Sequence, residues 1–379
     1  MAACSSIAIT GAGGFFGWHL LCRLHALSPG ADVRAVDRTD FDDDVTLGSA
    51  LDGVEAVVHL AGANRGSDDD VYDTNVGLAH RLVAALDDAG GRPRVVYANT
   101  VQSGRETPYG RSKSEAGEIL ARWGRFSGGL VSDLRFPNLF GECGRPNYNS
   151  AVATFCYDLA RGQSSDVNPD GHIELFHVQD ACAAVLDAIA SPSSRGQRIV
   201  GESLSIPNVY GRLRRLGEAY LPTQLPVLSD RLDLRLFNAL RTAMFPDSYP
   251  MPLEVHRDWR GSFFELVRGH GETQTSFSTT GPGVTRGDHF HLDKIERFVA
   301  VSGSGLIRVR RLFSDRVVEY QVSGDSPVAV DMPPLHAHSI TNVGDDDLLT
   351  VFWANDHFDP AAPDTYPEPV VASVAGVAG

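Results

Sequence analysis

The apolar pattern of this chain changes period once, at the proline-marked stretch FPDSYPMP (245–252). Before it, apolar strands such as SIAIT, AVVHLAG and RVVYANT alternate with segments whose apolar residues recur at helical spacing. After it come short alternating runs separated by glycine turns: IERFVAVSGSG, LIRVRRLF, RVVEYQVSG, PVAVDMP and LLTVFWAN. Strand–helix alternation requires a parallel sheet covered by helices on both faces, whereas many short strands without helices close into a sandwich or barrel. One architecture cannot satisfy both patterns. The spacing predicts a Rossmann-like, doubly wound α/β domain over 1–243, a linker at 244–253, an all-β domain over 254–368 and a tail at 369–379. A chain of 379 residues is long enough for two cores.

The α/β half opens on a phosphate-binding arrangement. In SIAITGAGGFFGWHLLCRLHAL a strand runs into a glycine turn and then a helix, and Gly11, Gly14 and Gly17 form G-x-x-G-x-x-G. Glycine permits the tight turn, the close approach of backbone to a pyrophosphate, and close packing of helix on strand, with the diphosphate at the helix N-terminus. The second strand, DVRAVDR, ends in Asp37 and Arg38, at the spacing where the adenosine ribose is read. Asp37 would accept from the ribose hydroxyls and favour NAD, whereas Arg38 would pair with a 2′-phosphate and favour NADP. The two point opposite ways, and either can equally be a solvated strand end.

Lysine occurs only at Lys113 and Lys294, arginine supplying the rest of the 33 basic residues. Genomic base composition accounts for most such bias, yet Lys113 has a chemical reason to persist. It follows Tyr109 by one helical turn in PYGRSK, on the same face. An ammonium beside a phenol favours phenolate and lowers its pKa, so the tyrosine can exchange a proton with a carbonyl or hydroxyl near neutral pH. Together TGAGGFFG, HLAG, the hydroxyl of Thr100, Y-x-x-x-K and RFPNLFG (135–141) resemble the extended short-chain dehydrogenase/reductase family over residues 5–243. The resemblance implies a catalytic set of Thr100, Tyr109 and Lys113, with Thr100 where the family more often has serine. It implies cofactor contacts from Gly11, Gly14, Phe15, Phe16, Gly17, Asp37, Arg38, Leu60, Ala61 and Gly62, as well as from Tyr109 and Lys113. It also places Asn138 beside the substrate and the polar run PNYNSAVATFC (146–156), with Asn147, around a sugar nucleotide. A polar loop capping a helix would look the same.

In the all-β half, GDHFHLDKIERF (287–298) gathers His289, His291 and Glu296. Alternation puts both histidines on one inward face of a strand, and Glu296 returns on the next. Gly283, His289, His291, Glu296 and Gly303 keep every spacing of the first cupin motif. Pro333, His338 and Asn342 match the second more loosely, with Leu335 standing where glycine is usual. The resemblance to cupins implies a jelly roll in which His289, His291, Glu296 and His338 bind a divalent metal. Three imidazoles and one carboxylate suit Zn, Fe, Mn or Ni, and Zn is the expectation. The competing reading is a metal-free cupin that uses histidines as acid and base on nucleotide-linked keto sugars. DWRGSFFE (258–265) resembles the arginine-bearing strand of sugar-nucleotide epimerases, which makes Arg260 and Glu265 substrate candidates or a surface ion pair.

Composition narrows the partners. A formal charge of −15 with no basic run repels a phosphate backbone, so nucleic acid is not expected. Five cysteines (Cys4, Cys22, Cys143, Cys156 and Cys182) without a C-x-x-C pair read as reduced thiols of a cytoplasmic protein. MAACSSIAITG has no cationic leader, and no apolar run has the length of a membrane span.

Through RFPNLFG, PNYNSAVATFCYDLARG, IPNVYG, RGSF, VSGSGLIRVR and FDPAAPDTY, most of the chain resembles the CapF family of bifunctional capsular polysaccharide biosynthesis proteins, a reductase fused to a C-terminal cupin. The resemblance implies epimerisation at carbon 3 of a UDP-4-keto-6-deoxy-N-acetyl-hexosamine by the cupin, followed by reduction at carbon 4. The product would be UDP-N-acetyl-L-talosamine, a precursor of N-acetyl-L-fucosamine. NADPH, with NADH open, and a homodimer are implied as well. The pairing of Asp37 with Arg38, Thr100, and Leu335 with His336 depart from the family pattern. They leave an epimerase and reductase of a dTDP-4-keto sugar as the alternative. The non-enzymatic alternative, a dinucleotide-sensing protein with a cupin ligand module, has no need of the Tyr109 and Lys113 pair.

Overall fold

A computed structural model describes residues 5–371 except 259–260, 265–266, 268–273, 357–358, 360 and 362. The elements run β1 (Ser6–Thr10), α1 (Phe15–Leu27), β2 (Asp32–Val36), α2 (Asp44–Leu51), β3 (Ala56–His59), α3 (Asp68–Asp88), β4 (Arg94–Thr100), α4 (Pro108–Ser127), β5 (Val131–Phe136) and β6 (Asn138–Phe140). They continue with α5 (Ala151–Ala160), β7 (His172–His177), α6 (Val178–Ala190), β8 (Arg195–Arg198), β9 (Glu202–Ser205), α7 (Ile206–Glu218) and α8 (Arg231–Met244). Strands alone follow: β10 (Met251–Pro252), β11 (Val255–Asp258), β12 (Gly261–Phe264), β13 (Gln274–Thr280), β14 (Thr285–Phe290) and β15 (Glu296–Ser302). The last are β16 (Ser304–Arg311), β17 (Val317–Ser323), β18 (Val328–Met332), β19 (His336–Asn342), β20 (Leu348–Ala354) and β21 (Tyr366–Pro367). They form two compact units, Met1–Phe140 with Asp170–Ser205, and Gly141–Pro169 with Ile206–Gly379.

The first unit is built on a parallel sheet of order β2-β1-β3-β4-β5-β8. Side chains of a strand alternate between faces, and β1 shows the consequence. Ala8 packs on one side with Leu47, Leu82 and Leu120 of α2, α3 and α4. Ile7 and Ile9 pack on the other with Leu20, Leu24 and Val185 of α1 and α6. The sheet is therefore doubly wound, as the strand–helix alternation predicts. Because the chain goes from β1 to β2 on one side and then to β3 on the other, the carboxyl ends of β1 and β3 flank the reversal. That is where ligands bind in open α/β sheets.

The second unit holds α5, α7, α8 and two five-stranded sheets, β10-β18-β15-β20-β13 and β17-β16-β19-β14-β21. Every pairing in them is antiparallel, as in a cupin. A buried charge network ties α8 to the strands. Arg297 on β15 donates to both carboxylate oxygens of Asp331 on β18, at 2.7 and 3.0 Å, and to Pro222 O at 2.5 Å. Arg241 of α8 lies 3.8 Å from the same carboxylate, and the Tyr220 hydroxyl donates to it. Burial pushes the Asp331 pKa up, but the two guanidiniums outweigh this and hold it below the ordinary carboxylate value. Buried charges must be paired, and the groups that supplement the Arg297–Asp331 pair, Arg241, Tyr220 and Pro222 O, come from before residue 243. The compact unit that holds these strands also takes in residues 141–169, α7 and α8.

Among the described residues no helix is long and apolar enough to cross a membrane. Cys22, Cys156 and Cys182 are buried and Cys143 is half-buried, none of them in a disulfide among the described residues, while Cys4 lies outside those residues.

Candidate active sites

The glycine turn after β1 is a cradle with no room for side chains. Gly11 has φ +71°, and a Cβ there would meet Ala61 N at 2.8 Å; a Cβ on Gly17 would meet Gly11 O at 2.4 Å. Gly14 begins α1 with no side-chain cap, and the first turn contains no acidic residue, so the helix N-terminus is left for an anion. Thr10 Oγ1 accepts from Ala61 N at 3.2 Å and pairs with His59 Nδ1 at 2.7 Å, and Leu60 N donates to Thr10 O at 3.1 Å. The ends of β1 and β3 are thereby fastened together. A cradle that a Cβ would fill, facing an uncapped helix, fits a dinucleotide's pyrophosphate. Asp37 borders it, its carboxylate 3.6 Å from where a Cβ on Gly13 would lie, and Arg38 beside it is exposed. Phe15 and Phe16 stand in the first turn of α1, where Phe16 packs edge-on against Phe136.

Two residues that the sequence pattern does not flag complete this edge. Asn75 of α3 accepts from Ala63 N and donates to Ala63 O, both at 2.8 Å, and donates to Ser112 Oγ of α4 at 3.0 Å. Its Oδ1 also sits 2.7 Å from where a Cβ on Gly62 would be, which accounts for glycine there. The one hint in the sequence is an asparagine inside a helix, a position that disfavours it unless it has partners; its burial and those partners appear only in the fold.

Thr100 ends β4, and its hydroxyl accepts from Gln102 N at 3.2 Å. Tyr109 stands in the first turn of α4, which Thr107 caps by accepting from Gly110 N. Lys113, 6% exposed, donates to Ala98 O at 2.9 Å with its Nζ 4.2 Å from the centre of the Tyr97 ring. Burial brings the Lys113 pKa down to about 7, against an opposing pull from Asp133. The expected lowering of the Tyr109 pKa is not what the structure presents. Burial raises it, while the lysine amine gives one hydrogen bond to Ala98 O and lies over the Tyr97 ring.

Asn138 donates to Glu174 O at 3.3 Å in the first unit. Asn147, in the second, has φ 54° and donates its backbone N–H to Thr154 Oγ1 at 3.0 Å. Pro146, Ala153 and Cys156 of the same polar run line a cavity of about 410 Å³ with Arg161, Arg311 and Arg316; Asn147 is not in its lining. Arg260 and Glu265 lie outside the described residues.

The four cupin residues do converge. His289 on β14 pairs directly with His338 on β19, across a register shift at Asp288. His291 follows β14 by one residue, and Glu296 opens β15 in the other sheet. Glu296 Oε2 lies 3.0 Å from His291 Nε2, 3.4 Å from His338 Nε2 and 3.9 Å from His289 Nε2, and all four ligand atoms fall within 4.8 Å of one another. Burial raises the Glu296 pKa, but the three imidazoles facing it hold it well below the usual range. His338 is brought down to about 4, chiefly by burial. His291 Nδ1 faces Asp364 O at 2.5 Å and His338 Nδ1 faces His336 O at 3.1 Å. A carbonyl can only accept, so both rings carry a hydrogen on Nδ1 and direct Nε2 toward Glu296. His291 Nε2, His338 Nε2 and Glu296 Oε2 are buried with no hydrogen bond, and such orphaned donors of electron pairs fit a metal ion.

Leu335 resolves the departure from the second cupin motif. It takes φ 62°, the left-handed conformation that glycine favours, with its side chain fully buried. Its N–H donates to His291 O at 2.8 Å, and its carbonyl accepts from Leu312 N at 3.1 Å. Burial of the leucine offsets about 1 kcal/mol of backbone strain.

Residues 7–201 match the NAD dependent epimerase/dehydratase family, and residues 256–366 match the polysaccharide biosynthesis C-terminal domain. A UDP-2-acetamido-2,6-beta-L-arabino-hexul-4-ose reductase of Pseudomonas aeruginosa is 30% identical, over 95% of this chain and 97% of that protein. The crystal structure of the capsular polysaccharide assembling protein CapF from Staphylococcus aureus is 32% identical, covers 96% of this chain and 99% of that one, and superposes with a TM-score of 0.58. The chain belongs to the CapF family. CapF-family membership makes it an enzyme of the NAD(P)-dependent epimerase and reductase class, with a Rossmann-like unit followed by a β domain. RMD from Pseudomonas aeruginosa complexed with NADPH, 18% identical over 63% of this chain with a TM-score of 0.55, shares the fold of the first unit's family.

Proposed function

We propose that the protein converts a UDP-4-keto-6-deoxy-N-acetyl-hexosamine to UDP-N-acetyl-L-talosamine, the cupin epimerising carbon 3 and the reductase reducing carbon 4. The observation that carries this reading is the likeness, over nearly the full length of both chains, to a relative named as a reductase of a UDP-linked hexul-4-ose.

In the reductase, the nicotinamide cofactor supplies hydride when bound, and NADPH is the proposed form, with Arg38 toward its 2′-phosphate. Gly11, Gly14 and Gly17 admit the pyrophosphate to the start of α1. Tyr109 delivers a proton to the carbon 4 oxygen, and Thr100 donates a hydrogen bond to the same oxygen. The raised phenol pKa keeps Tyr109 in the protonated form that reduction requires. Lys113 in its ammonium form helps the phenol part with its proton. Asn138 and Asn147 are the proposed substrate contacts, together with Arg260 and Glu265.

In the cupin, His289, His291, Glu296 and His338 would hold a divalent ion, which we propose to be Zn. A metal there supplies Lewis acidity toward a carbonyl, easing loss of a proton from the neighbouring carbon. His289, with 22% of its side chain exposed, is the ring through which the cluster meets solvent. A homodimer acting in the cytoplasm is part of the same reading. Incubation with UDP- and dTDP-linked 4-keto sugars and with each cofactor, with products identified by NMR, tests it. The expected result is the UDP-linked talo sugar with NADPH consumed; turnover of only the dTDP substrate would overturn the nucleotide assignment.

A further inference from the structure

Residues 363–367 lie against the cupin cluster and hold the segment that carries two of the four ligands. Asp364, at φ 41°, uses every acceptor it has. Its Oδ1 accepts from Leu292 N at 2.9 Å, and its Oδ2 from Asp293 N at 3.0 Å and Lys294 N at 2.8 Å. Its backbone carbonyl takes the Nδ1 hydrogen of His291 at 2.5 Å. Lys294, one of the chain's two lysines, donates back to Pro363 O at 2.6 Å. The strap continues as β21, which pairs with β14 at His289 and Phe290, and it is fastened beyond by Glu368 N to Asp288 O at 2.8 Å. Arg310 then donates to Glu368 Oε1 at 2.6 Å and to Val370 O at 2.8 Å.

We propose that Asp364 is the positioning residue of the cluster, fixing the tautomer and direction of His291 by clamping the 292–294 turn to the C-terminal strap. An anionic carboxylate accepting three backbone N–H bonds holds the turn, and the turn holds Asp364 O over His291 Nδ1. With Nδ1 committed to that carbonyl, Nε2 is the atom left facing Glu296 and His338, where it would give its electron pair to an ion held among them. Its bearing on metal affinity rests on the metal-binding reading above, whereas its bearing on His291 does not.

The test uses full-length protein stripped of metal, as wild type, Asp364→Ala, Asp364→Asn and Lys294→Met. Affinity for Zn²⁺ alone is measured by competition with a chromophoric chelator. The His291 tautomer is read separately by long-range ¹⁵N–¹H NMR without metal. The wild type is expected to show Nδ1–H at His291. Asp364→Ala is expected to lose that single tautomer and to bind Zn²⁺ about 10- to 100-fold more weakly, the usual range for partners of metal-bound histidines. Asp364→Asn, which keeps an acceptor oxygen, should fall between them. Should Asp364→Ala fail to fold, Lys294→Met removes the fastening of Pro363 O and Thr365 Oγ1 while leaving Asp364 in place, and is expected to show the same changes at smaller size. If the wild type binds no ion, the metal reading fails, and the tautomer readout still decides the clamp. A folded Asp364→Ala with wild-type Zn²⁺ affinity and an unchanged His291 tautomer would overturn the proposal.

Discussion

Lys113 shows how one residue can be legible in sequence and still behave otherwise than its motif implies. Its spacing from Tyr109 fixes the helical face, but the burial that draws it down to about 7 comes from β4 and from the covering helices. The sign of the linkage follows. The unfolded lysine titrates near 10.5 and the folded one near 7, so between these values the unfolded chain binds more protons, and stability rises with pH. Urea titrations at pH 7 and pH 9 are expected to show this rise in the wild type and not in Lys113→Met; equal pH dependence in both would refute it. Arg38 is the residue at which sequence leaves cofactor choice open, since Asp37 stands beside it at the edge of the glycine turn. Arg38→Ala is expected to raise KM for NADPH about tenfold, by analogy with the loss of one charge-assisted contact, and to leave KM for NADH nearly unchanged. Steady-state kinetics with both cofactors measure it, and equal effects would show that Arg38 does not read the phosphate.

At the scale of elements, the glycine turn and the cupin strands were legible because each motif is set by neighbours within a few residues. Periodicity gave β1, α1, β14 and β15, and alternation gave the common side of His289 and His291. What was not legible depends on partners remote in sequence. Asn75 and Ser112 join α3 to α4 across 37 positions, and Asp364 reaches Leu292 across 72. Leu335 adopts a glycine conformation for the same reason, since only the folded packing supplies its burial and its hydrogen bond to His291. The turn after β1 yields a direct test. Gly17→Ala would place a Cβ 2.4 Å from backbone oxygen, which cannot yield as a flexible side chain would. NADPH binding, followed by fluorescence titration, is expected to weaken at least tenfold while the cupin retains its Zn²⁺ affinity. Unaltered NADPH binding would mean that the close approach of α1 to β1 does not shape the cofactor site.

For the whole molecule, the change of apolar period correctly separated an α/β half from a β half, but it did not show where compactness ends. α8 has helical spacing and so reads with the first half, yet Arg241 and Tyr220 complete the buried pairing of Arg297 with Asp331. A chain beginning at Met251 lacks those partners. The Arg297–Asp331 pair itself stays, but losing the Tyr220 hydrogen bond to its buried carboxylate costs about 1.5–3 kcal/mol, so such a fragment should melt below the corresponding transition of the full chain in circular dichroism. Equal melting temperatures would show that the strands stand alone. The central claim is that one chain performs proton exchange at carbon 3 in the cupin and hydride transfer to carbon 4 in the reductase. The most direct measurement is NMR of the UDP-4-keto sugar in deuterated water with NADPH, using Zn²⁺-loaded full-length wild type, Tyr109→Phe and His338→Ala. Tyr109→Phe is expected to place deuterium at carbon 3 and leave NADPH unconsumed, while His338→Ala loses the deuterium as its metal is lost. Consumption of NADPH by Tyr109→Phe at the wild-type rate, or undiminished exchange by metal-free His338→Ala, would contradict it.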